Sequence, residues 1–106
     1  MAVTQLRLTE RNAVSSGQEE FVVLRSTAAG TIVLPAVCRH RGGPLNLATF
    51  DARAAVCPWH DSRTRCPAPR SRRSPFVLVR RGRTVTLVGR DVERTYRLPV
   101  LRPREQ

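Results

Sequence analysis

Two cysteine–histidine pairs are the residues in this sequence best suited to chemistry. Cys38 and His40 stand one residue apart, and Cys57 and His60 follow with two residues between them. Sixteen residues separate the two pairs. Thiolates and imidazoles are donors for tetrahedral zinc and for iron–sulfur centres, and two short pairs can converge on one site from separate loops. The spacing alone leaves zinc and iron–sulfur both open.

The elements that would position these pairs are short β-strands separated by turn residues, and no helix or internal repeat is predicted. The predicted strands cover residues 3–8, 21–25, 31–34, 52–56, 76–79, 84–88 and 95–101. A hairpin with a turn at 28–30 leads directly to Cys38, and the strand over 52–56 delivers Cys57. The clearest hairpin turns at Arg81-Gly82-Arg83.

The remaining segments are predicted as loops or as a sheet edge. Residues 15–18 read as a loop, and residues 62–74 read as an exposed loop because they are rich in Arg, Ser and Pro without apolar periodicity. Pro99 places the last strand at an edge. The expected fold is all-β, with small stacked antiparallel sheets or a partial barrel.

Size and composition fit one domain over residues 1–106, since 106 residues leave no room for a second. No apolar run approaches the ~20 residues that span a bilayer. The N-terminus lacks a basic region followed by an apolar stretch, so no signal peptide is predicted. Three cysteines without a secretory context favour metal binding over disulfides. These features predict a cytoplasmic protein without a membrane partner.

The charge is strongly positive, with 19 basic and 8 acidic residues and a formal net charge of +11. All basic residues other than histidine are arginine. Such a surface favours an acidic partner. The arginines at 63, 65, 70, 72 and 73 could form a docking collar for an acidic redox protein, or simply a solvated loop. Nucleic acid is the weaker alternative, because no aromatic residues interleave these arginines.

The segments Cys38-Arg39-His40-Arg41-Gly42-Gly43-Pro44-Leu45 and Cys57-Pro58-Trp59-His60 closely resemble the two cluster loops of the Rieske family. The resemblance extends more weakly over residues 21–88, and it places the loops at 38–45 and 57–62. It implies a [2Fe–2S] cluster in which Cys38 and Cys57 bind one iron. His40 and His60 would bind the other through Nδ1.

The implied cluster has a definite formal charge, which bears on how easily it is reduced. Two ferric ions, two sulfides and two thiolates sum to zero, so an added electron makes the cluster anionic. Replacing two thiolates by imidazoles makes a cluster easier to reduce. Gly42 and Gly43 would let backbone N–H groups approach the sulfides, which also stabilises the reduced state. Pro44 and Pro58 would stiffen the loops.

Four positions depart from the family pattern or stand outside it. Gly43 and Trp59 occupy the places where high-potential relatives carry a disulfide, so the sequence resembles the lower-potential ferredoxin and oxygenase branch. Asp61 replaces a usual glycine, and its carboxylate would disfavour the reduced cluster. Cys66 stands outside the pattern and reads as a buried or loop thiol.

The histidine count limits the function. A complete Rieske oxygenase needs a second iron site with two histidines and a carboxylate, and this sequence contains two histidines in all. The favoured interpretation is a ferredoxin that carries single electrons to an oxygenase or similar enzyme. Two alternatives stay open: a small Rieske subunit of a larger complex, as in assimilatory nitrite reductases, and a metal-binding sensing or structural module.

Overall fold

The computed structural model describes residues 2–26, 30–37, 43–51, 54–56, 63–65 and 75–100. In these residues the chain forms ten strands and one 3-10 turn, without an α-helix, which confirms the expected all-β fold. The strands are β1 (Ala2–Arg7), β2 (Ala13–Ser16), β3 (Glu19–Ser26), β4 (Gly30–Pro35), β5 (Thr49–Asp51), β6 (Ala54–Val56), β7 (Arg63–Arg65), β8 (Phe76–Arg81), β9 (Thr84–Gly89) and β10 (Arg94–Tyr96). The 3-10 turn covers Leu45–Leu47.

The described strands build three antiparallel sheets. The first has the order β1-β9-β8, the second β10-β2-β3-β4, and the third β5-β6-β7. The second sheet is the middle layer of the core. Along β3, Phe21 and Val23 belong to one buried cluster while Val22 and Leu24 belong to the other, as expected when successive side chains point to opposite faces.

One cluster of apolar side chains joins the first sheet to the middle sheet. Phe21 and Phe76 pack edge to face there, with ring centroids 5.3 Å apart, and Leu6, Val85 and Leu87 complete the contact from β1 and β9. All three aliphatic side chains are buried. Burial of this apolar surface on both sides is the main force holding the two sheets together.

The second cluster of apolar side chains covers the opposite face of the middle sheet. Ile32 and Leu34 of β4 pack there with Leu45 and Ala48, which lie in and just after the 3-10 turn. Leu98 and Val100 from the C-terminal end pack against the same cluster. The 3-10 turn is therefore anchored to the core, and it follows the first predicted cluster loop directly.

Both predicted hairpins are confirmed. Gly30 begins β4 with φ of 76°, and Gly82 adopts φ of 59° in the turn between β8 and β9. Glycine takes these left-handed conformations without the steric cost of a Cβ atom. The predicted first strand is β1. The edge strand predicted over 95–101 is wrong beyond Tyr96: β10 covers Arg94–Tyr96 and pairs only with β2 among the described strands, while residues 97–100 belong to no strand. Leu98 bonds to the Asn12 side chain instead of to a neighbouring strand.

Two loop predictions are corrected. Ser15 and Ser16 were expected in a loop but lie in β2, because β2 pairs with both β3 and β10 and the Ser16 hydroxyl donates to the Asp91 carbonyl at 2.7 Å. Part of the expected loop over 62–74 forms β7, which pairs with β6 in the register Val56↔Arg63. The rest of that loop lies outside the described residues.

The third sheet also contains a strand that sequence patterning did not predict. Residues Thr49–Asp51 form β5 against β6, while the expected strand over 52–56 appears as β6 (Ala54–Val56). In the described part of the chain, no helix has the length and hydrophobicity of a membrane span.

Candidate metal centre

The first predicted cluster loop is closed at its base by a β-bridge. Val37 and Pro44 pair in antiparallel fashion, and the Leu45 backbone N–H donates to the Ala36 carbonyl at 2.9 Å. Gly43 is buried at this base, whereas Val37, directly before Cys38, is 50% exposed. The bridge holds the two ends of the loop together, so the residues between them project from one place in the fold.

The second predicted cluster loop connects two paired strands. Val56 ends β6 and pairs with Arg63, which begins β7. Six residues, 57–62, join these two positions. Because the pair Val56↔Arg63 closes this connection, Cys57 follows directly from a hydrogen-bonded strand end.

The second loop leaves the third sheet at the end where β5 begins. Val56 pairs with Arg63 on one side and with Thr49 on the other, so the chain enters β5 beside the point where the second loop leaves β6. Pro44, at the base of the first loop, is five residues before Thr49. Five residues span at most ~18 Å even when extended, and the intervening 3-10 turn shortens that distance.

The predicted ligands themselves lie outside the described residues. This applies to Cys38, His40, Cys57 and His60, and also to Asp61 and Cys66. Among the described residues, no group of three or more His, Cys, Asp or Glu side chains comes together. The four ligand assignments therefore stay predictions, supported here by the placement of the residues next to them.

Two buried asparagines tie residues 98 and 99 to the rest of the fold, and sequence reasoning missed both. Asn46 lies in the 3-10 turn, and its side-chain Nδ2 donates to the Pro99 carbonyl at 2.7 Å. Asn12 exchanges two hydrogen bonds with the backbone of Leu98, at 2.8 and 3.0 Å. For Asn46 the available signal was a polar residue inside the apolar run 45–48, since a buried amide needs partners.

Comparison with known families gives one match over most of the chain. The model of the Rieske [2Fe–2S] domain matches residues 1–75, a range that contains both predicted cluster loops and ends before β8. Comparison with curated proteins gave no match. The chain belongs to the Rieske [2Fe–2S] domain family, and it is an electron-transfer module that binds a [2Fe–2S] cluster.

The donor set of this chain fits that cluster. The family places two thiolates and two imidazoles around two irons, and the chain offers a cysteine and a histidine in each of two predicted loops, whose bases are closed at Val37↔Pro44 and at Val56↔Arg63. When bound, the cluster would supply reversible one-electron chemistry. The chain's own part is to close the base of each loop and to bury Gly43 and Leu45 beside the first one.

Proposed function

We propose that this chain is a Rieske ferredoxin, a one-electron carrier that delivers electrons to an oxygenase or a similar redox enzyme. We assign the cluster to Cys38 and Cys57 on one iron and to His40 and His60 on the other. The observation that carries the proposal is that both loop bases are closed by paired backbone, at Val37↔Pro44 and at Val56↔Arg63. Each base is followed at once by a predicted cysteine ligand.

The proposed carrier role follows from the number of histidines available for a second iron site. An oxygenase needs a further iron site with two histidines and a carboxylate, and both histidines of these 106 residues are assigned to the cluster. An isolated cluster of this kind exchanges electrons without transforming a substrate. We also propose a cytoplasmic location, because a reducing compartment keeps cysteine ligands available for metal.

The charge distribution supports an acidic protein partner. Residues 37–75, which include both predicted loops, contain eight arginines and two aspartates. The eight are the arginines at 39, 41, 53, 63, 65, 70, 72 and 73. The exposed Val37 adds an apolar contact directly beside the first loop. A basic segment with an exposed apolar residue beside it suits transient docking, in which charge raises the association rate.

Analysis of the purified protein tests the cluster assignment. We expect two irons and two acid-labile sulfides per chain, and an absorption spectrum that bleaches when dithionite is added. Cys38→Ser should lose the cluster, because serine oxygen is a poor substitute for a thiolate. Cys66→Ser is the matched control and should retain the cluster, since Cys66 lies outside the ligand pattern.

A histidine ligand gives a more specific readout. His60→Cys should still hold a cluster but lower its reduction potential, because a thiolate in place of a neutral imidazole adds negative charge to the iron that His40 also binds. An unchanged potential would show that His60 is not a ligand. One zinc per chain without sulfide would overturn the cluster assignment, and a spectrum unaffected by dithionite would overturn the carrier role.

A further inference from the structure

The last described residues, 97–100, form a strap across the face of the middle sheet that carries the 3-10 turn. Leu98 and Val100 pack on the buried cluster that contains Leu45 and Ala48. The strap follows β10 without belonging to a sheet. It lies beyond the range matched by the family model, which ends at residue 75.

The strap is tied at two points by side-chain amides. Leu98 exchanges two hydrogen bonds with the side chain of Asn12, which is 4% exposed and lies just before β2. The carbonyl of the next residue, Pro99, accepts a hydrogen bond from Asn46 in the 3-10 turn. Strap and turn are 53 residues apart in sequence, so this contact links two distant parts of the chain.

Asn46 is placed where it can control the first loop. It lies two residues after Pro44, which closes the loop against Val37, and one residue after Leu45, whose N–H bonds to Ala36. The Asn46 side chain is buried, at 7% exposure, so its amide loses hydration unless it finds a partner. The strap supplies that partner. Movement of the strap away from the turn would leave both the amide and the Pro99 carbonyl unsatisfied.

We propose that the strap is a latch that holds the base of the first cluster loop closed, with Asn46 as its positioning residue. This proposal rests on the assignment of Cys38 and His40 as cluster ligands in that loop. A closed base limits access of water and chelators to the cluster and keeps the loop backbone in one arrangement. Opening the latch therefore accelerates cluster loss.

Iron release from the purified cluster-containing protein tests the latch. In Asn46→Ala, transfer of iron to ferrozine should be about three- to tenfold faster than in the wild type, which is the factor expected from losing one intramolecular hydrogen bond. Ser16→Ala is the matched control. Ser16 is 3% exposed and donates a 2.7 Å bond to a backbone carbonyl, that of Asp91, on β2 rather than at the loop base.

A readout that does not depend on the cluster separates the latch from the proposed function. Hydrogen–deuterium exchange of the peptide over residues 44–48 should accelerate by a similar factor in Asn46→Ala and stay at the wild-type rate in Ser16→Ala. This measurement also works on protein prepared without metal. A wild-type chain that binds no cluster would contradict the proposed function, while the exchange result would still decide the latch.

Leu98→Ala provides a second route if Asn46→Ala does not fold. This change loosens the packing of the strap and leaves Asn46 intact, and it should accelerate both iron release and exchange over residues 44–48. Equal effects of the Asn46 and Ser16 substitutions on all measurements would overturn the proposal. So would unchanged exchange over residues 44–48 in Leu98→Ala.

Discussion

At the scale of single residues, Asn12 shows how this small fold supports buried polar groups. Its backbone N–H donates to Tyr96 and its carbonyl accepts from Val23, while its side chain pairs with Leu98. One asparagine thereby joins β3, β10 and the strap. Leaving such groups without partners costs about 1–3 kcal/mol each, so Asn12 specifies where the C-terminal end of the described chain must lie.

Tyr96 is only half-buried, but its hydroxyl oxygen is itself buried. That oxygen has no hydrogen-bond partner within the described part of the chain. Burial, followed by the nearby Glu20 carboxylate, raises the pKa of Tyr96 from 10.0 to about 12, against a smaller opposing effect of Arg94. The neutral phenol is thus the form that the fold prefers.

Titration of the phenol absorbance at 295 nm measures this shift directly, since the chain has one tyrosine. We expect a midpoint near pH 12 in the folded protein and near pH 10 after unfolding. Because the folded pKa is raised, the related stability is complete below about pH 10 and is lost as pH rises towards 12.

Two variants test the origin of the raised pKa of Tyr96. Tyr96→Phe should remove the titration and the accompanying decline in the free energy of unfolding between pH 10 and 12. Glu20→Gln should lower the folded midpoint part of the way towards 10, because burial remains the larger cause. A folded midpoint near pH 10 in the wild type would contradict this account.

At the scale of elements, the sequence predicted the strands that have their own patterning and turns. The hairpins β3–β4 and β8–β9 combine β-branched runs with Gly30 and Gly82 at the turns. Residues 13–16, 49–51 and 63–65 lack such patterning, and their strands form because neighbouring strands offer free backbone partners. The strap depends on contacts across 86 residues, which local sequence does not encode.

The cluster-binding family was predictable for a different reason, while the four ligand residues stay predictions. Four donor residues at fixed spacing, with glycine and proline around them, form a local motif that needs no tertiary information. The supporting residues Asn12 and Asn46 have no such motif. Their roles come from burial and from distant carbonyl groups, and both exist only once the sheets have packed.

Gly89, at the end of β9, gives a prediction about the stability of the β8–β9 pair. Gly89 pairs with Ala2 and Phe76, and an added Cβ would lie 2.1 Å from the Pro75 carbonyl oxygen. Since the obstacle is backbone, Gly89→Ala should shift the ends of β8 and β9 and lower the free energy of unfolding by ~2–3 kcal/mol. Urea unfolding followed by circular dichroism measures the loss.

Gly17 provides the comparison for Gly89. It has φ of 63°, and an added Cβ would meet nothing within 4 Å, so Gly17→Ala should cost only the left-handed backbone strain of ~1 kcal/mol. An equal or smaller loss for Gly89→Ala than for Gly17→Ala would show that the β9 end relaxes freely around the new methyl group.

At the scale of the whole molecule, the middle sheet separates two different sides. The β1-β9-β8 sheet packs on one face, and the 3-10 turn with the strap and the first loop base packs on the other. The segment that carries the predicted ligands also carries eight of the nineteen arginines, with two of the eight acidic residues. We therefore expect the cluster to sit in a positive local potential.

Electron transfer to small ions of opposite charge tests that potential without a protein partner. Between about 0.01 and 0.5 M ionic strength, oxidation of the reduced protein by ferricyanide should slow by about tenfold, as screening removes the attraction. Oxidation by hexaamminecobalt(III) should accelerate over the same range. Stopped-flow measurement at the cluster absorbance gives both rates.

Paired substitutions locate the charge that matters. The double variant Arg39→Gln and Arg41→Gln removes two positive charges next to His40 in sequence. It should flatten the salt dependence of both oxidation rates while the iron content stays at two per chain. Arg81→Gln with Arg83→Gln removes the same charge from the exposed β8–β9 turn, which belongs to the sheet on the other side of the middle layer. That pair should leave the slopes nearly unchanged. Equal slopes for both pairs would mean that net charge alone sets the attraction for ferricyanide, and that the arginines next to His40 in sequence have no special part in it.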